Sequence, residues 1–245
     1  MTALNRCLVV SSLLLTGCWG TGGNGQPVRE SRSHRDFVEV ESYGPLEVQV
    51  RDAPSFSVAV RIDSNLLASV ETRVADETLV IEVHGDIHDF VDGPHVQIEM
   101  PSLAAATVIG SGSLDARNFD EDHTLRLGVN GSGDLAFAGS SPRMIATVDG
   151  SGEMQIAGTT DFADLGVWGS GEIEAKALTA GAGQISVYGS GSVRATINGE
   201  ASADVDGSGE VGLYGEVALE HSYVRGGGAI LMHGAADSSD ADTAN

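Results

Sequence analysis

"TVIGSGSL", residues 107–114, decides the fold, because the chain writes it again at a fixed interval. Residues 129–135 read VNGSGDL, 148–154 VDGSGEM, 167–173 VWGSGEI, 187–193 VYGSGSV and 205–211 VDGSGEV, and a degenerate copy, VRGGGAI, occupies 224–230. The first glycine of each copy stands at 110, 131, 150, 169, 189, 207 and 226, so successive spacings are 21, 19, 19, 20, 18 and 19. A constant period near twenty is the mark of one supersecondary unit stacked on copies of itself. Around each copy apolar and polar residues alternate, as in Leu125, Leu127, Val129 before the corner and Leu135, Phe137 after it. Period two is the strand signature, and a helical repeat would show 3.6. Each unit therefore reads as strand, glycine corner, strand and return loop.

A repeated corner explains the glycines. A coil that turns sharply needs backbone angles that a β-carbon forbids. Gly110 and Gly112, Gly131 and Gly133, Gly150 and Gly152, Gly169 and Gly171, Gly189 and Gly191, and Gly207 and Gly209 are the structural corner pairs. The valine before and the aliphatic residue after each pair are expected to face inward and pile into one apolar column. The serines between the glycines are expected to form a hydroxyl ladder at the inter-strand spacing of about 4.8 Å. The fold class predicted is all-β: a right-handed parallel β-helix-like solenoid of about seven coils, preceded by an N-terminal β-strand region.

That region alternates too. Leu46, Val48 and Val50 fall on one face, as do Phe56, Val58, Val60 and Ile62, then Leu79, Ile81 and Val83, then Val96, Ile98 and Met100. "DFVEVES", 36–42, places Phe37 ahead of an alternating Val38 and Val40. "SNLLASVETRV", 64–74, fits either a short helix or an irregular crossing. The organisation read from these patterns is a signal at 1–17, a tether at 18–36, the N-terminal β region at 37–103 (start of the solenoid or its cap), the repeat solenoid at 104–234 and a disordered acidic tail at 235–245.

The first residues carry an address. Arg6 precedes a short apolar run, 7–15, which ends in "LTGC", 15–18. The run is too short to span a bilayer. Its spacing resembles a bacterial lipobox, in which Cys18 would become the lipid-bearing N-terminus. Trp19, rather than aspartate, follows it, which favours the outer membrane. With Cys7 lost and Cys18 lipidated, the mature fold holds no cysteine and no disulfide. The Gly- and Ser-rich stretch that follows reads as a flexible tether.

Charge excludes several partners. The 245 residues carry 13 Lys+Arg against 35 Asp+Glu, a formal net charge of −22, and Lys176 is the single lysine. Such a surface repels nucleic acid, anionic headgroups and acidic polysaccharides. A phosphate loop needs a glycine turn leading into a helix, usually with lysine; here a strand follows each Gly-Ser-Gly, so nucleotide binding is rejected.

Candidate sites remain on the outward-facing positions. The residue before each first glycine varies, and Trp168 and Tyr188 fall there on adjacent coils, where two rings could form a ligand platform for sugar faces or a protein partner; the alternative is that they merely cover a corner. The residue after the second glycine is Asp134, Glu153 and Glu172 on three successive coils, a possible cation ladder for Ca²⁺; the alternative is a solvated acidic stripe that blocks edge association. His84, His88 and His95 with Asp86, Asp89 and Asp92 fit either a first-row metal cluster or a polar hairpin loop. No Ser/His/Asp or Cys/His arrangement stands out, and no catalytic residue is assigned. Paired carboxylates at glycosidase spacing occur in any acidic ladder and carry no signal.

Taken together, the lipobox, the strands at 46–50 and 78–83, the stretch 63–74 and the serial V-x-G-S-G-x-apolar units resemble the putative auto-transporter adhesin, head GIN domain family of bacterial secreted and lipid-anchored proteins. The resemblance runs from about Phe37 to Met232 and implies a β-helix-like coil. It implies no catalytic residues, since the family defines none. The functional expectation is a non-catalytic, lipid-anchored envelope protein acting as an adhesin or surface- and carbohydrate-binding scaffold. The alternatives are a polysaccharide-active β-helix enzyme or a calcium-stabilised structural envelope protein.

Overall fold

The computed structural model describes residues 20–88 and 93–234. Cys18 and the signal lie outside the described residues, as do Asp89, Asp92 and the acidic tail. The described residues are almost entirely strands and turns; the one helical element is a 3₁₀ turn, Leu67–Ser69, which settles 64–74 as an irregular crossing into the strand Val70–Ala75.

Each Gly-Ser-Gly copy joins two strands that do not pair with each other, and each strand pairs in parallel with its equivalent one coil away. The register places Val108, Val129, Val148, Val167, Val187, Val205 and Val224 in one line along the stack. Across the corner Leu114, Leu135, Met154, Ile173, Val193, Val211 and Ile230 form the facing line. Except in the last coil, both lines are buried. This is the expected parallel β-helix-like solenoid: two sheets pressed face to face over a dry column. Burial of each such side chain contributes about 1.5–3 kcal/mol, repeated at every coil.

The two corner glycines serve different ends. The first of each pair has φ between +110° and +132° from Gly110 to Gly226, a region closed to most side chains. The second is needed for close approach: a β-carbon on Gly133 would stand 2.5 Å from the carbonyl oxygen of Gly112 in the coil before. The serine ladder is carried by backbone rather than by hydroxyls. Ser132 N–H donates to Gly110 C=O at 2.9 Å, and Ser151, Ser170, Ser190 and Ser208 donate likewise to the first glycine of the preceding coil at 2.8 Å. Their side chains are exposed, and among the described residues no hydroxyl-to-hydroxyl bond links them. At the opposite corner buried hydroxyls do bond to backbone: Ser141 Oγ stands 2.8 Å from the carbonyl oxygens of both His123 and Arg143, between which its single hydrogen is shared, and Thr160 Oγ1 donates to that of Phe162 at 3.1 Å.

Residues 37–103 add two coils that lack the motif. Glu39–Tyr43 and Glu47–Asp52 pair in parallel with the first motif coil, with Gly44 (φ +93°) at their corner. Thr78–Val83 and His95–Met100 pair with those strands from the other side. The chain thus makes one coil, leaves it, lays a second beneath it and returns above. Three antiparallel strands continue the sheets at this end: Ser57–Asp63 on His95–Met100, Pro27–Arg32 on Ser57–Asp63, and Val70–Ala75 on Thr78–Val83. Phe37, Leu66 and Leu103 are fully buried in this region. Phe37 and Val40 are buried while Val38 is only half-buried, because the strand begins after Val38, at Glu39. The alternation of 46–50 and 95–100 is realised in full.

Candidate functional site

The outer face of the sheet ahead of the corners carries a register column of Tyr43, Ile109, Asn130, Asp149, Trp168, Tyr188, Asp206 and Arg225. Strand alternation fixes this. Each follows an inward residue, which for the motif coils is a valine, so it must point out. Trp168 and Tyr188 lie in register, with ring centroids 5.8 Å apart and planes 13° apart. The rings therefore overlap as an offset stack and do not lie side by side as one floor. Each covers part of the other, and each remains 43% exposed.

What seats the indole is absent from the motif. Gly166 precedes Trp168 by two residues and so shares its face, and a β-carbon there would stand 2.5 Å from Trp168 Cη2. The indole leans along its own strand over bare backbone. Gly-x-Trp on an outward face is the sequence signal that marks such a seat. Thr147 and Ser186 flank Gly166 in register, so small and hydroxyl-bearing residues surround the ring. Asp149 is the neighbour of Trp168 on one side. Asp206 neighbours Tyr188 on the other. The Arg225 guanidinium grips Asp206 with two contacts, Nε to Oδ1 at 2.9 Å and Nη2 to Oδ2. These hydrogen bonds hold the Asp206 carboxyl below the usual carboxylate range and raise Arg225. Asp149 and Asp206 thus frame the stack with acceptors, one of them already engaged.

On the opposite sheet the register stacks Asp134, Glu153 and Glu172 as the motif spacing implies. Glu172 is in contact with Arg194 Nη1, and Glu153 Oε1 accepts from Gln155 Nε2 at 2.8 Å. Among the described residues no group of three His, Cys, Asp or Glu side chains is placed to hold a metal ion. His84 pairs with Glu71 at 2.8 Å, whereas His95 pairs with Glu47 at 3.1 Å on a different strand pair. Beside the acidic ladder runs a shallow groove of about 450 Å³, floored by Ala136, Ala138, Ala157 and Ala177 and edged by Arg117 and Lys176. Sequence reading missed it; its signal is alternate alanines at outward positions of consecutive coils. Asp115, next to this groove, is partly buried, which opposes its ionisation. Hydrogen bonds and charge from Arg117 and Arg51 outweigh that and hold its pKa below the usual value.

Residues 36–216 match the family model described as putative auto-transporter adhesin, head GIN domain. The chain belongs to this family. The head GIN domain fold is seen in solved structures of low sequence identity. A putative adhesin from Bacteroides fragilis superposes with a TM-score of 0.77 at 19% identity, over 88% of this chain and 100% of that one. A putative lipid binding protein from Parabacteroides distasonis gives 0.71 at 23% identity, over 87% and 99%. A putative adhesin from Parabacteroides merdae gives 0.65 at 18% identity, over 87% and 98%. No curated protein matches the chain. No helix among the described residues is long and apolar enough to cross a membrane.

Proposed function

We propose that this head GIN domain protein is a non-catalytic scaffold of the cell envelope, held by a lipid on Cys18, whose solenoid presents the Trp168–Tyr188 stack to a neutral carbohydrate. The observation that carries the reading is the stack itself: two large rings, each 43% exposed, held against one another on a rigid outer sheet. Exposed aromatics on a polar surface provide an apolar face for sugar C–H groups, and Asp149, Thr147 and Ser186 beside them offer partners for hydroxyls. Because the rings are stacked, a sugar meets their outer faces and edges. The net charge of −22 disfavours uronates and sulfated glycans and leaves neutral ones. Cys18, preceded by "LTG" and a short apolar run, supports the anchor, and Trp19 after it supports the outer membrane.

The test is calorimetric titration with neutral oligosaccharides. Changing Trp168 and Tyr188 together to Ala should reduce affinity at least tenfold while leaving the melting temperature within a few degrees. Unchanged affinity would reject the site, and release of reducing sugar by the purified chain would reject the non-catalytic reading.

A further inference from the structure

On the outer face of the N-terminal region four strands bring one residue each into a single row: Arg29 opposite Arg61, Arg61 opposite His95, and His95 opposite Glu47. The next row holds Ala59, Gln97 and Gln49. Antiparallel partners share a face, with β-carbons about 4.5–5.5 Å apart. Ala59 is short among long neighbours and is sunk between them to 4% exposure. The result is a hollow of about 440 Å³, walled by Arg29, Arg61, His95, Gln49 and Gln97 over Ala59.

Charge is used differently here from the rest of the chain. In the repeat region each cation, Arg117, Arg126, Arg143, Lys176, Arg194 and Arg225, contacts a carboxylate. In the hollow two arginines stand directly opposite one another, which is destabilising unless something negative lies between them. Arg29 makes no ion pair among the described residues. Arg61 has an interaction of its own, yet a guanidinium carries five N–H donors, more than one partner uses. The nearest carboxylates are drawn elsewhere. Glu47 Oε2 lies 3.1 Å from His95 Nδ1, and its Oε1 accepts from Gln49 Nε2 at 3.4 Å. Asp115, beside Gln49 in register, is held by Arg51 and Arg117. The Arg29 end of the hollow is left to a ligand.

We infer that this hollow binds a phosphate monoester. A planar carboxylate, or a diester with two free oxygens, is filled by one guanidinium fork. A monoester presents three terminal oxygens, enough for forks from two sides and for the amides of Gln49 and Gln97. The volume falls in the range of small-molecule sites, about 300–1,000 Å³, and leaves room for the carbon part of an ester beside the phosphate. A net charge of −22 repels anions at large, so an anion held here owes its affinity to these side chains. The site lies on strands that follow the corner, not on those that carry Trp168, and does not depend on the aromatic stack. The monoester can belong to a soluble molecule or to a lipid headgroup, and the test separates the two.

Calorimetric titration of the full chain carrying Cys7→Ser and Cys18→Ser with glycerol 3-phosphate tests the site, with glycerol as the blank. The expected result is saturable binding of the ester and none of glycerol. Arg29→Gln and Arg61→Gln should each weaken binding at least tenfold with an unchanged circular-dichroism spectrum. Ala59→Leu, which fills the floor and removes no charge, should weaken it as much. Arg126→Gln removes the same charge from the repeat region and should leave the affinity as it was. As a second readout, the ester should raise the melting temperature of the parent chain and not that of Arg29→Gln. Absence of ester binding, an affinity that survives Arg29→Gln, or one that falls equally with Arg126→Gln would overturn the site. Co-sedimentation with phosphatidylcholine vesicles, with and without phosphatidic acid, finds the source. Capture that needs both phosphatidic acid and Arg29 supports the site and puts the monoester on a lipid. Ester binding without capture supports it and puts the monoester on a soluble molecule.

Discussion

The indole of Trp168 lies over the α-carbon of Gly166, with no room between them for a side chain: a β-carbon on Gly166 would stand 2.5 Å from Cη2. The obstacle is the far end of a mobile side chain, so Gly166→Ala is expected to cost less than about 1 kcal/mol of stability. It should nevertheless lift the indole from its seat and off Tyr188, which stacks on it at 5.8 Å. Sugar affinity is expected to fall several-fold with the melting temperature held. Calorimetric titration of the variant checks this, and full affinity with a displaced indole would show that the ring geometry does not matter.

The corner column predicts a sharp contrast between neighbours. Gly131 has φ +125°, and a β-carbon on it would stand 2.6 Å from the Gly110 carbonyl oxygen. Gly131→Ala should therefore cost about 3 kcal/mol or more and lower the melting temperature by at least about 6 °C. Ser132→Ala, one residue on, should stay within about 0.5 kcal/mol, because only its backbone is engaged. Amide hydrogen exchange offers an independent check. The N–H groups of Ser132, Ser151, Ser170, Ser190 and Ser208 donate to glycine carbonyls of the coil before, so they should be protected although their side chains are exposed.

Ser42 occupies a place that its neighbours give to aliphatic residues. It pairs in register with Ile81 on one side and Val108 on the other, is fully buried, and its hydroxyl has no hydrogen-bond partner. An unpaired buried hydroxyl costs roughly 1–3 kcal/mol. Ser42→Ala removes that cost without adding volume, and it is expected to raise stability by about 1 kcal/mol in denaturant titration. A loss of stability would mean that the hydroxyl is satisfied.

Asp115 gives a pH signature. Its carboxyl accepts from Arg51 at 2.9 Å and from Arg117 at 2.8 and 3.0 Å, and its folded pKa lies below the unfolded value. A depressed carboxylate stabilises the fold above the unfolded pKa, and the contribution disappears as pH falls through the folded one. The side chain is 31% exposed and Arg117 is 53% exposed, so screening keeps the effect small. Asp115→Asn should cost up to about 1 kcal/mol at neutral pH and less at acid pH. Parallel unfolding curves at the two pH values measure the difference.

The repeated corner made the solenoid legible before any coordinates, because a period near twenty with glycines at one phase has few structural solutions. The same logic located Trp168 and Tyr188 in register, since a residue one place from an inward valine can only point outward. Residues 39–52 were harder to place as a coil. Their corner, Tyr43-Gly44-Pro45, keeps one glycine of the motif and supplies φ +93° from Gly44. Serine at 42 replaces the inward valine, so the local letters hide the equivalence. The order of the first two coils was also hidden, because 78–100 pairs beneath 39–52 through contacts that no local pattern encodes. The face-to-face overlap of the two rings depends on side-chain angles and on Gly166 as a seat, neither of which the period reveals.

The most direct measurement is an amide and indole N–H chemical-shift titration of the isotope-labelled chain with neutral oligosaccharides. The account predicts that perturbations gather at Trp168 Nε1–H and at the amides of Thr147, Asp149, Gly166, Ser186 and Tyr188. Perturbations confined to the alanine-floored groove around Ala136 and Lys176, or none with any neutral glycan, would contradict it.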